Sequence, residues 1–522
     1  MRSRGAASAI PRILREKAES IGDSPFLRFG EGVATFGRMD ERSNRAANLL
    51  REIGVRRGDK VCLMTANRPE FVELWFGIAK LGAIMVPLEP SLEPDSVSYV
   101  ASHSDAMVFA VEGSACSAIE DRLRKSPQIR KKLWIGDTGG PPPGFLDYRE
   151  AVGAFPAAAA RFPATDPSDI MSIVYTPGTS GLPKGAMLSQ RNYLHSGRIW
   201  SENVVRPVED DVFYTVLPIA RIQTQTLMIV GALIGGCPIV LADGFDARTF
   251  FDGIQRSGAT VFDYTGPMIG RLLALEPSPE DAANPARLAF GGAISGFLRR
   301  AFESRFAVEV AEGFHLVECG GMCIANSGER AKEGAIGRPL PSYEVKIVDE
   351  FGEELPTGLS GEIVLRPRVQ EATFPGYYRE DDRTAEYMPN GWFHTGDRGY
   401  VDTEGDFYFL DRKADCIRHG GEMFPCADIE KAVNSHPEVL ESAAIGILAE
   451  LDDEIVRLFL VLRPGAVLSG EAVIAWCAGR MPPHLVPRFV EIVPGLPKTV
   501  AGSIRRFELR KRPVREQRVP PL

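Results

Sequence analysis

The stretch Tyr175-Thr176-Pro177-Gly178-Thr179-Ser180-Gly181-Leu182-Pro183-Lys184-Gly185 gathers three glycines, two threonines, a serine and one lysine within eleven residues. Glycines let backbone amides approach a polyphosphate closely, the hydroxyls add donors, and Lys184 adds a cation. It is not a Walker loop. That pattern needs Gly-Lys-Ser/Thr opening a helix, whereas here Pro183 precedes Lys184 and Gly185 follows it. A plain glycine-rich turn between two strands would not require this order of Gly, Thr, Ser, Gly, Pro, Lys and Gly.

Upstream of the loop, Met39, Ala46, Ala47, Leu50 and Ile53 recur at helical spacing and Gly54 is a natural stop. The short apolar run Val61-Cys62-Leu63-Met64 reads as a strand. Pro69 opens a second helix to about Leu81, and Ala83 to Leu88 returns as a strand. Strand, helix and strand in so short a span make a βαβ unit, hence a parallel sheet covered by helices. The alternation is expected to continue to about Ile347. From Gly361 to Tyr408 the pattern becomes short strands with turn signals such as Pro389-Asn390-Gly391 and Glu404-Gly405-Asp406. The charged segment Asp411-Arg412-Lys413-Ala414-Asp415 then precedes a compact α+β stretch ending near Arg510, and the tail Lys511 to Leu522 is basic and proline-containing. The Ala/Pro-rich stretch 154–164 reads as a surface connector.

Length and composition bound the function. A chain of 522 residues exceeds one compact core, and 44% hydrophobic with 25% charged residues is ordinary globular usage. The net charge of −9 argues against coating nucleic acid, so no nucleic-acid partner is expected. Any anionic ligand must then be held by local donors. The eight cysteines are scattered without a CxxC pair. Cys319 and Cys323 lie four apart with no second pair nearby, which fits reduced thiols and a cytoplasmic location better than a metal site. No apolar run approaches the roughly 18 residues of a membrane span, so no integral membrane segment is expected.

The loop resembles the signature of the adenylate-forming superfamily of acyl-CoA synthetases, luciferases and peptide-synthetase adenylation domains. Three further stretches carry the resemblance in the expected order: Gly391-Trp392-Phe393-His394-Thr395-Gly396-Asp397, Asp411-Arg412, and Gly420-Gly421-Glu422-Met423-Phe424-Pro425 through Asp428-Ile429-Glu430. It covers nearly the whole chain. Among subfamilies the chain looks most like the crotonobetaine/carnitine-CoA ligases and nearby medium- or long-chain acyl-CoA ligases, the region Asp211 to Gly235 being one such stretch. The resemblance implies an α/β fold, with a large N-terminal domain of parallel-rich sheets over 1–411 and a small mobile α+β domain over 412–522. The hinge would lie near 412–415, with Ala414 at the hinge position. It also implies a carboxylic acid substrate activated with ATP and Mg2+, then passed to CoA. A homodimer stays open.

The resemblance assigns roles residue by residue. Thr176, Gly178, Thr179, Ser180, Gly181 and Lys184 would hold the phosphates, and Asp397 both ribose hydroxyls, since a carboxylate can accept two hydrogen bonds from a vicinal diol. Arg412 would be a second ribose and phosphate contact. Glu318, ending Phe314-His315-Leu316-Val317-Glu318, would hold magnesium together with Thr179. Phe314 would pack on adenine, with Gly291-Gly292-Ala293 as the backbone wall beside it. Gly420 and Gly421 belong to the face that the family turns towards the site for CoA.

Departures cluster at this one site. The family's last-loop lysine is Ser503 here, in Pro497-Lys498-Thr499-Val500-Ala501-Gly502-Ser503. Pro177 replaces a serine, Val317 a threonine, His315 a glycine, and Ala414 the usual hinge Asp or Lys. Arg221 stands where relatives carry a histidine bordering the acyl and thiol channels. It would either meet an acidic group of substrate or CoA, or pair with a neighbouring carboxylate. With Lys184, Glu318 and Arg412 kept and Ser503 changed among the catalytic positions, three readings stay open. They are an AMP-forming acyl-CoA ligase with slowed adenylation, an enzyme mainly of the thioester half or acting on a carrier protein, and a non-catalytic acyl- or nucleotide-binding homologue.

Overall fold

The computed structural model describes residues 9–137, 139–158, 162, 164–176, 183–292, 294–412, 415–419, 422–448, 454–498 and 504–513. The predicted βαβ unit is present. Strand Lys60–Met64 pairs in parallel with Ile84–Leu88, Lys60 opposite Ile84 and Met64 opposite Leu88, and helix Pro69–Leu81 crosses between them. Pro69 costs nothing in a first turn whose N–H would go unused, and Gly82 at φ 65° ends the helix. Every residue from Glu70 to Leu81 is buried because the helix packs against helix Phe36–Glu52 on one side and the sheet on the other. That is why its hydrophobic residues run almost all round it.

Among the described residues two large sheets carry most of the strands. In the first, Lys60–Met64 is flanked by parallel neighbours Ile84–Leu88 and Ala106–Glu112, and the sheet extends through Ile170–Thr176 to Lys184–Ser189 and Gly376–Tyr377, both antiparallel. In the second, Pro25–Phe29, Ile239–Leu241, Phe213–Thr215, Val261–Asp263, Leu288–Gly291 and Glu309–Leu316 are all parallel. Most of their side chains are buried, as expected of parallel strands covered on both faces.

The helix–strand alternation ends earlier than the sequence suggests. It stops after helix Gly296–Phe306 and strand Glu309–Leu316, and strand Gly321–Asn326 returns antiparallel to its predecessor. A buried apolar strand reads alike in either direction, and the reversal is made by Gly320 at φ 65° and a one-turn 3-10 helix Val317–Cys319. A four-stranded antiparallel sheet follows, Tyr343–Val348, Gly361–Pro367, Phe393–Val401 and Phe407–Arg412.

The small C-terminal α+β domain is built on strands Val439–Leu448 and Glu454–Leu462 with Phe489–Ile492 parallel to the second. Helices Cys426–Asn434 and Gly470–Ala478 cover one face through Ile429, Val433, Val473 and Cys477. Arg506 ties this domain to the charged segment: its guanidinium donates to both Glu430 oxygens at 2.7 and 2.9 Å and to Asp415 Oδ2 at 3.0 Å. No helix among the described residues is long and apolar enough to cross a membrane. Of the stretch 154–164, the carbonyls of Phe155, Pro156 and Ala158 accept from Arg45 and Asn48, so that part lies along helix Phe36–Glu52.

Candidate active site

The glycine-rich loop joins two antiparallel strands, with Thr176 opposite Lys184 and Tyr175 opposite Gly185. The chain therefore returns as a strand and not as a helix, which is the physical distinction from a Walker loop. Gly178, Thr179, Ser180 and Gly181, with Pro177 and Leu182, lie outside the described residues. Thr176 Oγ1 at the loop entry is buried and has no hydrogen-bond partner among the described residues. At the exit Lys184 is buried, its Nζ 3.3 Å from Tyr377 Oη and 3.9 Å from the centre of the Tyr387 ring. A buried ammonium costs several kcal/mol unless partnered. Here two aromatic faces and one hydroxyl supply the partners.

Tyr377 continues the chain of contacts. Its hydroxyl donates to Glu318 Oε1 at 2.6 Å, and burial with the Glu318 charge pushes the phenol pKa well up, so it stays protonated. Lys184, Tyr377 and Glu318 thus form one buried line. Glu318 sits in the 3-10 turn Val317–Cys319, whose carbonyl end is pinned by Phe374 N–H donating to Glu318 O at 2.7 Å.

Asp397 lies beside this line on strand Phe393–Val401, directly opposite Arg412 on strand Phe407–Arg412. It is 3% exposed. Burial raises its carboxyl, Arg412 opposes the rise and Glu318, Glu362 and Asp415 add to it, for a net value of about 6. Arg412 Nε is 3.3 Å from Asp397 Oδ1, but the arginine side chain is 64% exposed and screens weakly. Glu362 accepts from Gly396 N–H at 2.9 Å and lies 3.2 Å from His394 Nδ1, which fixes the turn that presents Asp397.

Phe314 is nearly buried, its ring 6.4 Å from that of the half-exposed Phe409. Gly291 and Gly292 are required by protein neighbours: a Cβ on Gly291 would sit 2.3 Å from Tyr264 O, and one on Gly292 2.9 Å from Gly313 O. Ala293 is outside the described residues. His315 turns away from the site. Its ring packs edge-on to Phe290, burial lowers its pKa to about 4, and Nε2 has no hydrogen-bond partner among the described residues.

Arg221 pairs with Glu89, Nε to Oε1 at 3.0 Å, and both line a cavity of about 430 Å³. Apolar walls come from Val216, Leu217, Phe245 and Met268. Of the two expectations for Arg221, the neighbouring carboxylate is present, in a position that also faces the cavity. Ala414, Gly420, Gly421 and Ser503 lie outside the described residues. Of the cations flanking Ser503 in sequence, Lys498 pairs with Glu441, Arg505 with Glu508, and Arg506 with Glu430 and Asp415.

The donor set fits magnesium in one way. No group of three or more His, Cys, Asp or Glu side chains able to hold a metal occurs among the described residues. A magnesium beside Glu318 would therefore take most of its oxygens from phosphates and water, as that ion does. Cys319 and Cys323 are buried thiols, with Cys323 Sγ donating to Phe314 O. Sequence reasoning missed Tyr377, Tyr387 and Glu362. The aromatic pair after Gly376 was the one visible hint, and nothing local linked it to Lys184.

Comparison with known proteins places this geometry. The family profile described as AMP-binding enzyme matches residues 14–378, and that of the AMP-binding enzyme C-terminal domain matches 428–503. The chain is 31% identical over 502 residues to a crotonobetaine/carnitine–CoA ligase of Salmonella paratyphi A, covering 94% of this chain and 97% of the relative. The corresponding ligase of Proteus mirabilis is 32% identical over 477 residues, covering 90% and 92%. Among solved structures, an anthranilate CoA ligase in complex with anthranoyl-AMP superposes with a TM-score of 0.83 at 26% identity, covering 97% of each chain. A fatty acyl CoA synthetase of Mycobacterium tuberculosis gives 0.76 at 25%, covering 96% of this chain and 98% of that one.

Proposed function

This chain belongs to the AMP-binding enzyme family, among its AMP-forming acyl-CoA ligases, which use ATP, Mg2+ and CoA, and we propose that it joins a carboxylic acid to CoA with a slowed first half-reaction. The observation that carries this reading is the convergence of buried Lys184, Glu318 and Asp397 beside the mouth of the glycine-rich hairpin. Three buried ionisable groups in one place cost stability, and such clusters mark functional sites.

In the first half the acid's carboxylate attacks the ATP α-phosphorus and pyrophosphate leaves. Asp397 and Arg412 hold the ribose, Phe314 and the wall Gly291-Gly292-Ala293 hold adenine, and the loop with Lys184 holds the phosphates. Glu318 and Thr179 are the residues that would hold magnesium, which supplies neutralisation of phosphate charge. In the second half the CoA thiol displaces AMP, after the small domain turns about a hinge near 412–415 and brings Gly420 and Gly421 to the site. The same reading divides the chain into a large unit of 1–411 and a small one of 412–522.

Turnover with ATP, CoA and a panel of acids, followed by mass spectrometry of the thioester, tests it. No thioester from any acid, together with no heat on titrating Mg-ATP, would leave only the non-catalytic reading.

One observation favours a chain better at the second half. With Ser503 in place of the lysine, the described cations that flank it in sequence, Lys498, Arg505 and Arg506, are all held by carboxylates. A chemically prepared acyl-adenylate plus CoA is therefore expected to give thioester faster than acid, ATP and CoA together. Equal rates would remove the asymmetry. Arg221 carries a smaller expectation. If it meets an anionic group of the acid or of CoA, Glu89→Gln frees it and lowers KM for that ligand by about three- to tenfold with kcat unchanged. An unchanged KM for both ligands would leave Arg221 a structural partner of Glu89.

A further inference from the structure

Helix Pro94–His103 plays no part in the site described so far, yet it touches both stems of the phosphate hairpin. Tyr99 and His103 are four apart and share one face of it, their rings 5.4 Å apart and inclined by 23°. Tyr175, the residue before Thr176 on the entering strand, places its hydroxyl 2.7 Å from His103 Nδ1. Burial pushes the Tyr175 phenol up, so it keeps its proton, and the His103 tautomer sets which of the two groups donates. On the exit side Tyr99 Oη donates to Pro183 O at 3.3 Å, the carbonyl immediately before Lys184.

The contact continues to Tyr378, the residue after Tyr377. Tyr378 N–H donates to Gly185 O at 2.7 Å, and its ring stands edge-on to His103 at 6.0 Å. The next residue, Arg379, and Asp105, just past the helix, form an ion pair, and both adopt left-handed backbone at φ 59° and 53°. Side chains other than glycine pay for that conformation, and it persists where surrounding contacts over-determine it. Here the contacts tie the helix end to the strand that carries Tyr377.

We propose that Tyr99 and His103 are positioning residues of the phosphate hairpin: by gripping Tyr175 on one stem and Pro183 on the other, they fix the mouth at which Lys184 meets the outer phosphates of ATP. The role rests on the nucleotide reading above. It concerns the outer phosphates alone, because ribose and adenine are held by the separate elements bearing Asp397 and Phe314. A misplacement on the order of 1 Å in such donors can cost roughly 10²-fold, and a loosened clamp is expected to cost part of that.

The experiment is calorimetric titration of the full chain with Mg-ATP and, separately, with AMP, which lacks the outer phosphates. His103→Ala and Tyr175→Phe are each expected to weaken Mg-ATP by about 5- to 10-fold while AMP shifts less than about twofold. His103→Asn, whose amide reaches the Nδ1 position, is expected to restore Mg-ATP binding. Equal weakening of both nucleotides would make the cluster a general structural element, and unchanged affinities would make it irrelevant to the loop; either overturns the proposal. If the wild type binds AMP but gains nothing from the outer phosphates, the clamp is overturned while the nucleotide reading stands. If it binds neither, both fall.

Discussion

Ser503→Lys is expected to accelerate pyrophosphate release by up to ~10²-fold with an acid the wild type accepts, while leaving nucleotide affinity nearly unchanged. A cation bridging the attacking carboxylate and the α-phosphate makes its contact mainly in the transition state, so restoring it should appear in kcat and not in Kd. The size follows from what one charged transition-state contact contributes, typically ~10²- to 10³-fold. Two cations close to Ser503 in sequence could have masked the loss. Lys498 Nζ is held by Glu441, however, and Arg505 Nη1 lies 2.7 Å from Glu508 Oε1. The gain depends on the rest of the pocket. Val317 cannot donate to the α-phosphate as a threonine would, and Pro177 removes both a hydroxyl and an amide donor from the loop. Pyrophosphate release by wild type, Ser503→Lys and Val317→Thr/Ser503→Lys separates these causes. A gain only in the double variant would show that the phosphates are misplaced before the lysine can act, and no gain in either would mean that the lysine does not limit the reaction.

Much of this architecture was legible from local pattern, for identifiable reasons. Helix Pro69–Leu81 and its flanking strands announce themselves because proline, glycine and buried apolar runs punctuate them within a few residues. The antiparallel return of Gly321–Asn326 did not, because strand direction leaves no trace in composition when both faces are covered. Asp397, Glu318 and Lys184 could be picked out from motif order, yet their convergence could not. Tyr377, which joins Lys184 to Glu318, is 193 residues from the first and 59 from the second, and only the pairing of Gly376–Tyr377 with Lys184–Ser189 brings it there. The same holds for Arg221. A single sequence could offer it a substrate anion or a protein carboxylate, but Glu89 lies 132 residues away on a different strand-to-helix connection. Gly291 and Gly292 are also required by the fold itself, since Tyr264 and Gly313 already forbid a Cβ there, a constraint that no local pattern shows.

Asp397→Asn is expected to stabilise the ligand-free protein at neutral pH and, in the same molecule, to weaken AMP by roughly 10²-fold or more. Burial, with Glu318, Glu362 and Asp415 nearby, holds the Asp397 carboxyl at about 6, above its ordinary value of 3.8. A carboxyl raised in the folded state binds its proton more tightly there than in the unfolded chain. Its contribution is therefore most favourable below about pH 4, declines as pH rises from about 4 to 6, and above that leaves the folded protein carrying a penalty of about 2–3 kcal/mol. The amide is neutral and nearly isosteric, so it removes that penalty. It also loses the Arg412 contact, but that arginine is largely exposed and the pair contributes little. Denaturation at pH 7.5 is thus expected to show a gain of about 1–3 kcal/mol for Asp397→Asn, and at pH 4 the gain should vanish. Binding moves the other way. In the proposed ribose contact, two charge-assisted hydrogen bonds to the diol, each worth about 1.5–3 kcal/mol, would be replaced by weaker neutral ones, and wild-type affinity for AMP should itself fall as pH drops below about 6. A carboxylate present only to anchor Arg412 would give the opposite sign at neutral pH, with Asp397→Asn less stable than wild type and AMP affinity unchanged. Denaturation at the two pH values with AMP titration of the same samples therefore distinguishes a residue kept for its ligand from one kept for the fold.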